Sequence, residues 1–171
     1  MISTIHGLVA CSDLTGYARL SGKKSEEEIF QLLSDYYELV GDVITPAQGR
    51  VIKFMGDAAL MLFPETAVDV GVWALFALQT EGDRFLSERG ISCHHHIRIH
   101  FGPICFGPIG TRTEKRPDIL GSTVNTLFLL KTPGFAITPE AFRKLNPDTR
   151  KLFKKHTPPV VYIPTSQPHR D

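Results

Sequence analysis

Two apolar runs meet at a Gly-Asp pair in "VIKFMGDAALMLF" (51–63), and no other stretch limits the fold as much. Val51 and Ile52 are β-branched, and Ala58 to Phe63 is unbroken apolar sequence. This predicts a β-hairpin with strands at 50–55 and 58–63 and Gly56-Asp57 at its turn. Lys53 and Asp57 place one cation and one anion around the tip of an otherwise core hairpin. A plain surface turn accounts for a Gly and an Asp, so the reason for the charges must come from the rest of the chain.

On either side of the hairpin the periodicity changes. "HGLVACSD" ends an apolar run in an acid and predicts a strand at 7–12. Ser25 with Glu28 forms a capping-box signature. Ile29, Leu32, Leu33, Tyr36, Tyr37, Val40 and Val43/Ile44 then recur at helical spacing, closed by Pro46, Gln48 and Gly49. A second helix is expected at 66–88. "HHHIRIHFG" (94–102) alternates as a strand does, and "ICFGPIG" either continues it or pairs back. The order β-α-β-β-α-β predicts an α+β, ferredoxin-like core, an antiparallel sheet with helices on one face. Beyond it, 111–118 is charged and reads as a loop, "TVNTLFLLK" as helix and 134–138 as strand. "PEAFRKL" reads as a short helix begun by proline, and 158–164 as a last edge strand. We expect one domain over 1–164 and a frayed tail at 165–171.

Composition sets outer bounds. The chain has 171 residues, 42% hydrophobic and 22% charged, with a formal net charge of +1. That is enough for a real core, and it gives no electrostatic case for nucleic acid or an anionic membrane. The longest apolar stretch, 67–78, is too short to span a bilayer and contains Asp69. Cys11, Cys93 and Cys105 are odd in number and lack C-x-x-C spacing, as expected of reduced core thiols in a cytoplasmic protein. No basic leader opens the chain, and no attached regulatory module is expected. Trp73 and the phenylalanines read as core.

Four segments then stand in order: "CSDLTGYARLS" (11–21), "KFMGDAALMLF" (53–63), "IRIHFGPICFGPIG" (97–110) and "DILGSTVN" (118–125). In this order and at these spacings they resemble the class III adenylate/guanylate cyclase catalytic domain over roughly residues 8–145. The family fold is the ferredoxin-like core already expected from the strand order. The resemblance implies that Asp13 and Asp57 hold metal, Mg²⁺ or Mn²⁺ with two ions per site, hard cations suited to carboxylate oxygens. It implies that the amides along Leu14, Thr15, Gly16 and Tyr17 cradle phosphate. Lys53 and Asp118 match the pair that reads the purine, a combination that leans toward ATP. Asn125 matches the residue that orients the ribose. Lys154 falls where a triphosphate-binding lysine would, although Lys151 or Lys155 would serve as well.

One position departs from the family pattern. Four residues after Asn125, where the family has an arginine for the transferring phosphate, this chain has Leu129. The resemblance further implies a homodimer with sites across its interface, or a heterodimer whose second chain supplies the missing arginine. The residues leave other readings open. Asp13 alone would serve as a helix cap, Asp118 as a loop acid and Lys53 as a solvated strand charge. His94, His95 and His96 cannot converge on one metal if they lie on a strand, because neighbours point to opposite faces. His100 is expected to pack near the sheet. The functions expected are conversion of ATP to 3′,5′-cyclic AMP and pyrophosphate, a silent nucleotide-binding or interaction module, or another role on the same fold.

Overall fold

In the computed structural model, which describes residues 1–132 and 134–169, the chain forms an eight-stranded sheet among the described residues. Strand β1 (Ser3–Thr15) leads through the short α1 (Tyr17–Ser21) to α2 (Glu26–Ile44). The hairpin follows as β2 (Arg50–Met55) and β3 (Ala58–Pro64), then α3 (Val68–Ser87) and the long β4 (His94–Gly110). Next come β5 (Lys115–Leu120), α4 (Ser122–Leu129), β6 (Phe135–Ile137), α5 (Pro139–Lys144), α6 (Pro147–Arg150), β7 (Phe153–His156) and β8 (Val161–Pro164). The sheet order is β2-β3-β1-β4-β6-β8-β7, with β5 paired to β4. The first four of these strands are the antiparallel ferredoxin-like core; β4 and β6 pair in parallel.

The local signals explain the elements they marked. Ser25 caps α2 as half of a capping box: its hydroxyl accepts from the Glu28 amide at 3.2 Å and Glu28 accepts from the Ser25 amide at 2.8 Å. Leu32, Tyr36, Val40 and Ile44 then line the buried stripe of α2. The hairpin turns through two residues, and Gly56 supplies the left-handed φ of 63° at the first of them.

Alternation along β1 builds two cores. Leu8 and Ala10 face α2 and α3 in the main cluster, with Met61, Phe63, Leu75, Leu78, Ile97 and Ile99. Val9 and Cys11 face the other way, onto Ile104, Ile119 and, from α4, Val124 and Leu127. Both faces of the sheet are therefore covered, not one, which is why β1 reads as a continuous apolar run.

Several expectations are corrected here. Residues 115–118 of the expected loop belong to β5, because the outer half of β4 offers a free ladder, from Cys105↔Leu120 to Gly110↔Lys115. Charged side chains do not oppose a strand whose sides face solvent, and Pro117 is tolerated at a sheet margin. The segment at 158–164 yields β8, paired on both sides, while the unforeseen β7 with Lys154 and Lys155 is the edge. Cys105 is exposed, Trp73 is 52% exposed on α3, and Phe30 and Phe128 also face outward. Of the expected tail, 170–171 lie outside the described residues, and Thr165 and Gln167 hydrogen-bond to Leu152, Pro164 and Phe135. Among the described residues no helix is long and apolar enough to cross a membrane.

Helix α3 meets β4 at Gly82, where an added Cβ would collide with the ring of buried His95. Gly82→Ala is therefore expected to destabilise the fold by about 1–3 kcal/mol through overpacking. Urea unfolding of the two proteins at neutral pH measures it.

Candidate active site

Asp13 and Asp57 arrive at the same place by different routes. Asp13 is the last acid of β1, paired across the ladder with His96. Asp57 sits in the turn of the hairpin, and its Oδ2 accepts from the Leu14 amide at 2.9 Å. One backbone hydrogen bond thus locks the hairpin tip to the residue next to Asp13. Helix α2 braces the same tip: Tyr37 stacks on Phe54 with ring centroids 3.7 Å apart, and its hydroxyl donates to the Gly56 carbonyl at 2.5 Å.

The Asp13 carboxylate is not bare. Its Oδ2 accepts from Arg98 Nη2 at 2.8 Å, and its Oδ1 lies 3.4 Å from His96 Nδ1. Burial alone would raise the Asp13 carboxyl, but the His96 hydrogen bond and charge and the Arg98 guanidinium bring it below the ordinary carboxylate value. Burial also pushes the neighbouring Cys11 thiol up to about 11, so this cysteine is no nucleophile at neutral pH. Two hard oxygen donors brought together suit one divalent cation that keeps water or substrate oxygens in its remaining places. Among the described residues, no cluster of three or more His, Cys, Asp or Glu side chains forms a closed metal site.

The second pair sits elsewhere. Lys53 on β2 donates to Asp118 Oδ2 on β5 at 2.7 Å, and Asp118 Oδ1 accepts from the Ile119 amide at 2.8 Å. Both line an open cleft of about 510 Å³ with Phe54, Ile109, Glu114 and Arg116; Asp13, Asp57 and Asn125 are not among its lining residues. Asn125 and Leu129 are one helical turn apart on α4, both turned to solvent, and Leu129 is 78% exposed. Leu129 is thus not core of its own chain.

Of the phosphate-cradle candidates, Leu14 already uses its amide on Asp57, and its side chain is buried. Thr15 bonds His94 across the ladder: its hydroxyl donates to the His94 carbonyl at 3.1 Å and accepts from the His94 amide at 3.3 Å. Gly16 and Tyr17 stand at the start of α1. Lys154 lies on β7 at the far edge of the sheet, half-buried, with Lys151 and Lys155 beside it and more exposed.

The three consecutive histidines divide as strand neighbours must. His96 faces Asp13. His95 points to the opposite side, fully buried, with Nδ1 2.7 Å from Asp83 Oδ1 and Nε2 2.8 Å from the Tyr36 hydroxyl. For Asp83 too, burial would raise the carboxyl, and the His95 ring and backbone hydrogen bonds, with the charges of His95 and His94, outweigh it. His100 packs against Thr138 at 2.8 Å, and burial lowers its pKa. Sequence reasoning missed Arg98, Tyr37 and Asp83. Only Arg98 had a visible signal: it is the one permanent charge in an alternating strand, two residues after His96, and so on the same face as Asp13's partner.

Comparison with known proteins bears on the family and the fold. A family model described as the Adenylate and Guanylate cyclase catalytic domain matches residues 8–140. An adenylate cyclase of Anabaena cylindrica is 29% identical over 131 residues, covering 72% of this chain and 26% of that protein. Adenylate cyclase 1 of Rhizobium meliloti (strain 1021) is 24% identical over 123 residues, covering 67% of this chain and 18% of that protein. The chain thus spans about a quarter or less of the length of these curated relatives. Among solved structures, the adenylyl cyclase CyaB from P. aeruginosa superposes with a TM-score of 0.80 at 17% identity, covering 95% of this chain and 93% of that one. The guanylyl cyclase Cya2 gives 0.81 at 20% identity, covering 94% and 91%. Such identities carry the fold, and the fold is equally near to both kinds of cyclase.

The depressed carboxyls set an acid limit on stability. A carboxylate whose folded pKa lies below its unfolded value of about 3.9 stabilises the fold above that pH and loses its contribution as pH falls through the folded value. Asp83→Asn is expected to lower the melting temperature at pH 6, and the gap to wild type should close as the pH drops below about 4. Thermal melts between pH 6 and pH 3 test this.

Proposed function

The chain belongs to the adenylate and guanylate cyclase catalytic domain family, and from that premise we propose that it is an adenylate cyclase whose sites form between two copies of the chain and turn over slowly. The observation that carries this reading is the division of the site. Asp57 bonds the Leu14 amide beside Asp13 at one strand end, Lys53 and Asp118 line a separate cleft, and Asn125 and Leu129 face outward from α4. Residues needed around one nucleotide do not surround one pocket of a single chain, so a two-fold partner completes each site. We take 1–164 as one domain, because β7 and β8 extend the same sheet.

The chain's own groups then divide the work. Lys53 Nζ donates to a purine ring nitrogen, and Asp118 accepts from the exocyclic amine of adenine. Their ion pair at 2.7 Å holds both in register before the base arrives. Asn125 orients the ribose so that its 3′ oxygen lies in line with the α-phosphate. The new bond joins O3′ to that phosphorus, the bond to the pyrophosphate oxygen breaks and pyrophosphate leaves, and the 3′ proton passes to solvent water. Asp13 and Asp57 would hold a divalent ion, which would supply positive charge against the reacting phosphate. Lys154, on the edge strand β7, would bind the triphosphate of the partner copy's site.

Leu129 supports a second reading, a silent nucleotide-binding module. A cation aimed at a phosphoryl transition state is worth about 10³–10⁵ in rate, judged by arginine fingers, and leucine offers none. Substrate binding suffers less, because such a cation acts mainly in the transition state. A second cyclase chain bearing the arginine would restore a complete site.

Cyclisation assays with ATP, GTP, CTP and UTP, each with Mg²⁺ and with Mn²⁺, are expected to give cyclic AMP as the main product; no cyclic product from any of them favours the silent module. Leu129 is exposed, so Leu129→Arg strands no charge in the core. It is expected to leave the melting temperature and ATP affinity nearly unchanged and to raise kcat by about 10²-fold or more. A stable variant with no gain places the limit elsewhere. Mixed Asp57→Ala and Asn125→Ala chains, each inactive alone, are expected to recover activity in heterodimers that keep one intact site. A mixture as inactive as its components removes the shared-site reading.

A further inference from the structure

We propose that Arg98 is a resident cation of the metal site, standing where the family resemblance would put a second divalent ion, so that each site takes up one divalent ion with its nucleotide instead of two. The inference rests on the cyclase reading above and specifies how its site is charged.

Three observations lead to it. The first is placement. In the β1–β4 ladder Cys11 pairs with Arg98 and Asp13 with His96, so alternation sets Arg98 and Asp13 on one face, two residues apart across the strands. The guanidinium closes that step with a 2.8 Å bond to Asp13 Oδ2, and only 12% of its side chain is exposed. A half-buried arginine–carboxylate pair is poorly screened by solvent, and unlike a water shell it cannot diffuse away when a metal ion approaches.

The second observation is the contrast between the two carboxylates. Both Asp13 oxygens face groups able to carry positive charge, Arg98 on one and His96 on the other. Asp57 faces only a backbone amide through Oδ2, and among the described residues its Oδ1 has no hydrogen-bond partner. The two carboxylates and one guanidinium leave a single negative charge. That is enough to receive one divalent ion delivered with a triphosphate. A second divalent ion on Asp13 would sit within a carboxylate's width of the guanidinium and be repelled by it.

The third is unspent donor capacity. Arg98 Nη1 reaches the Phe128 carbonyl at 3.5 Å, at the end of α4 and one residue from Leu129. Among the described residues its Nε is buried without a hydrogen-bond partner, as is His96 Nε2. A buried donor left unpaired is costly and rarely kept. The Nη1 contact with Phe128 is long, so that donor can turn to a phosphate oxygen while Nη2 still holds Asp13. An arginine can do both because its donors are arrayed in a planar fork.

The test counts metal. The full chain is saturated with α,β-methylene ATP, which cannot release pyrophosphate, and titrated with Mn²⁺. Free Mn²⁺ is followed by electron paramagnetic resonance and nucleotide uptake by calorimetry. One tightly bound Mn²⁺ per chain is expected for wild type and for Arg98→Lys, and two for Arg98→Gln, which loses the charge but keeps much of the length. Two Mn²⁺ in wild type, or one in a folded Arg98→Gln, overturns the proposal while the nucleotide uptake leaves the cyclase reading standing. If Arg98→Gln does not fold, the wild-type and Arg98→Lys counts decide alone. If the analogue binds with no metal present or fails to bind at all, the cyclase reading falls and takes this inference with it.

Discussion

Burial of both faces of β1 is the constraint on which the rest depends. All thirteen residues of this strand pair with β4, and six also pair with β3. One face is sealed by α2 and α3, the other by α4. A strand so enclosed can present chemistry only where it leaves the sheet, and Asp13 stands near that end. The hairpin tip, carrying Asp57, is drawn to the same end by its pairing with β1 and by the bond to the Leu14 amide. The two acids come to the same end of the sheet because the core allows their strands no other register; a one-residue slip would turn Leu8 and Ala10 out of the main core.

Enclosure also governs the charges. An acid this close to the core is held ionised only if cations or donors stand beside it. Asp13 has Arg98 and His96, and Asp83 has His95 on the opposite face. The two clusters share one strand, β4, whose alternation sends His95 inward and His96 and Arg98 toward Asp13. Tyr36 and Tyr37 extend the arrangement into α2: one bonds His95 and the other holds the hairpin tip. A single helix thus braces both the buried histidine and the turn bearing Asp57, which links the packing of the core to the geometry of the site.

The Lys53–Asp118 pair depends on a different element. Asp118 reaches Lys53 only because β5 folds back along the outer half of β4, beyond the shared core, to the edge where β2 lies. Helix α4 then carries Asn125 and Leu129 on its open face while Val124 and Leu127 are buried beneath. That helix closes a core and presents a surface at the same time. Leucine at 129 costs the fold little, and it withholds a cation from whatever faces the helix.

Much of this was legible in the sequence. The capping box at Ser25, the Gly56-Asp57 turn and the helical stripe of α2 are local signals, each set by residues within a turn or two of one another. The order of elements restricted the core to one topology, and four ordered segments pointed to the family. What the sequence left open was longer in range or weaker in pattern. The strand β5 is charged and holds a proline, so only the free ladder of β4 made it a strand. The exposure of Trp73, Cys105 and Leu129 follows from which faces neighbours cover, and residue type does not encode that. The pairing of Arg98 with Asp13 spans 85 positions and exists only through the β1–β4 register. The sequence by itself determined the elements, their order and the identity of the acids, because short-range sterics and periodicity set these. Only the tertiary structure decided which cation each acid meets, because cross-strand register joins residues that no local pattern connects.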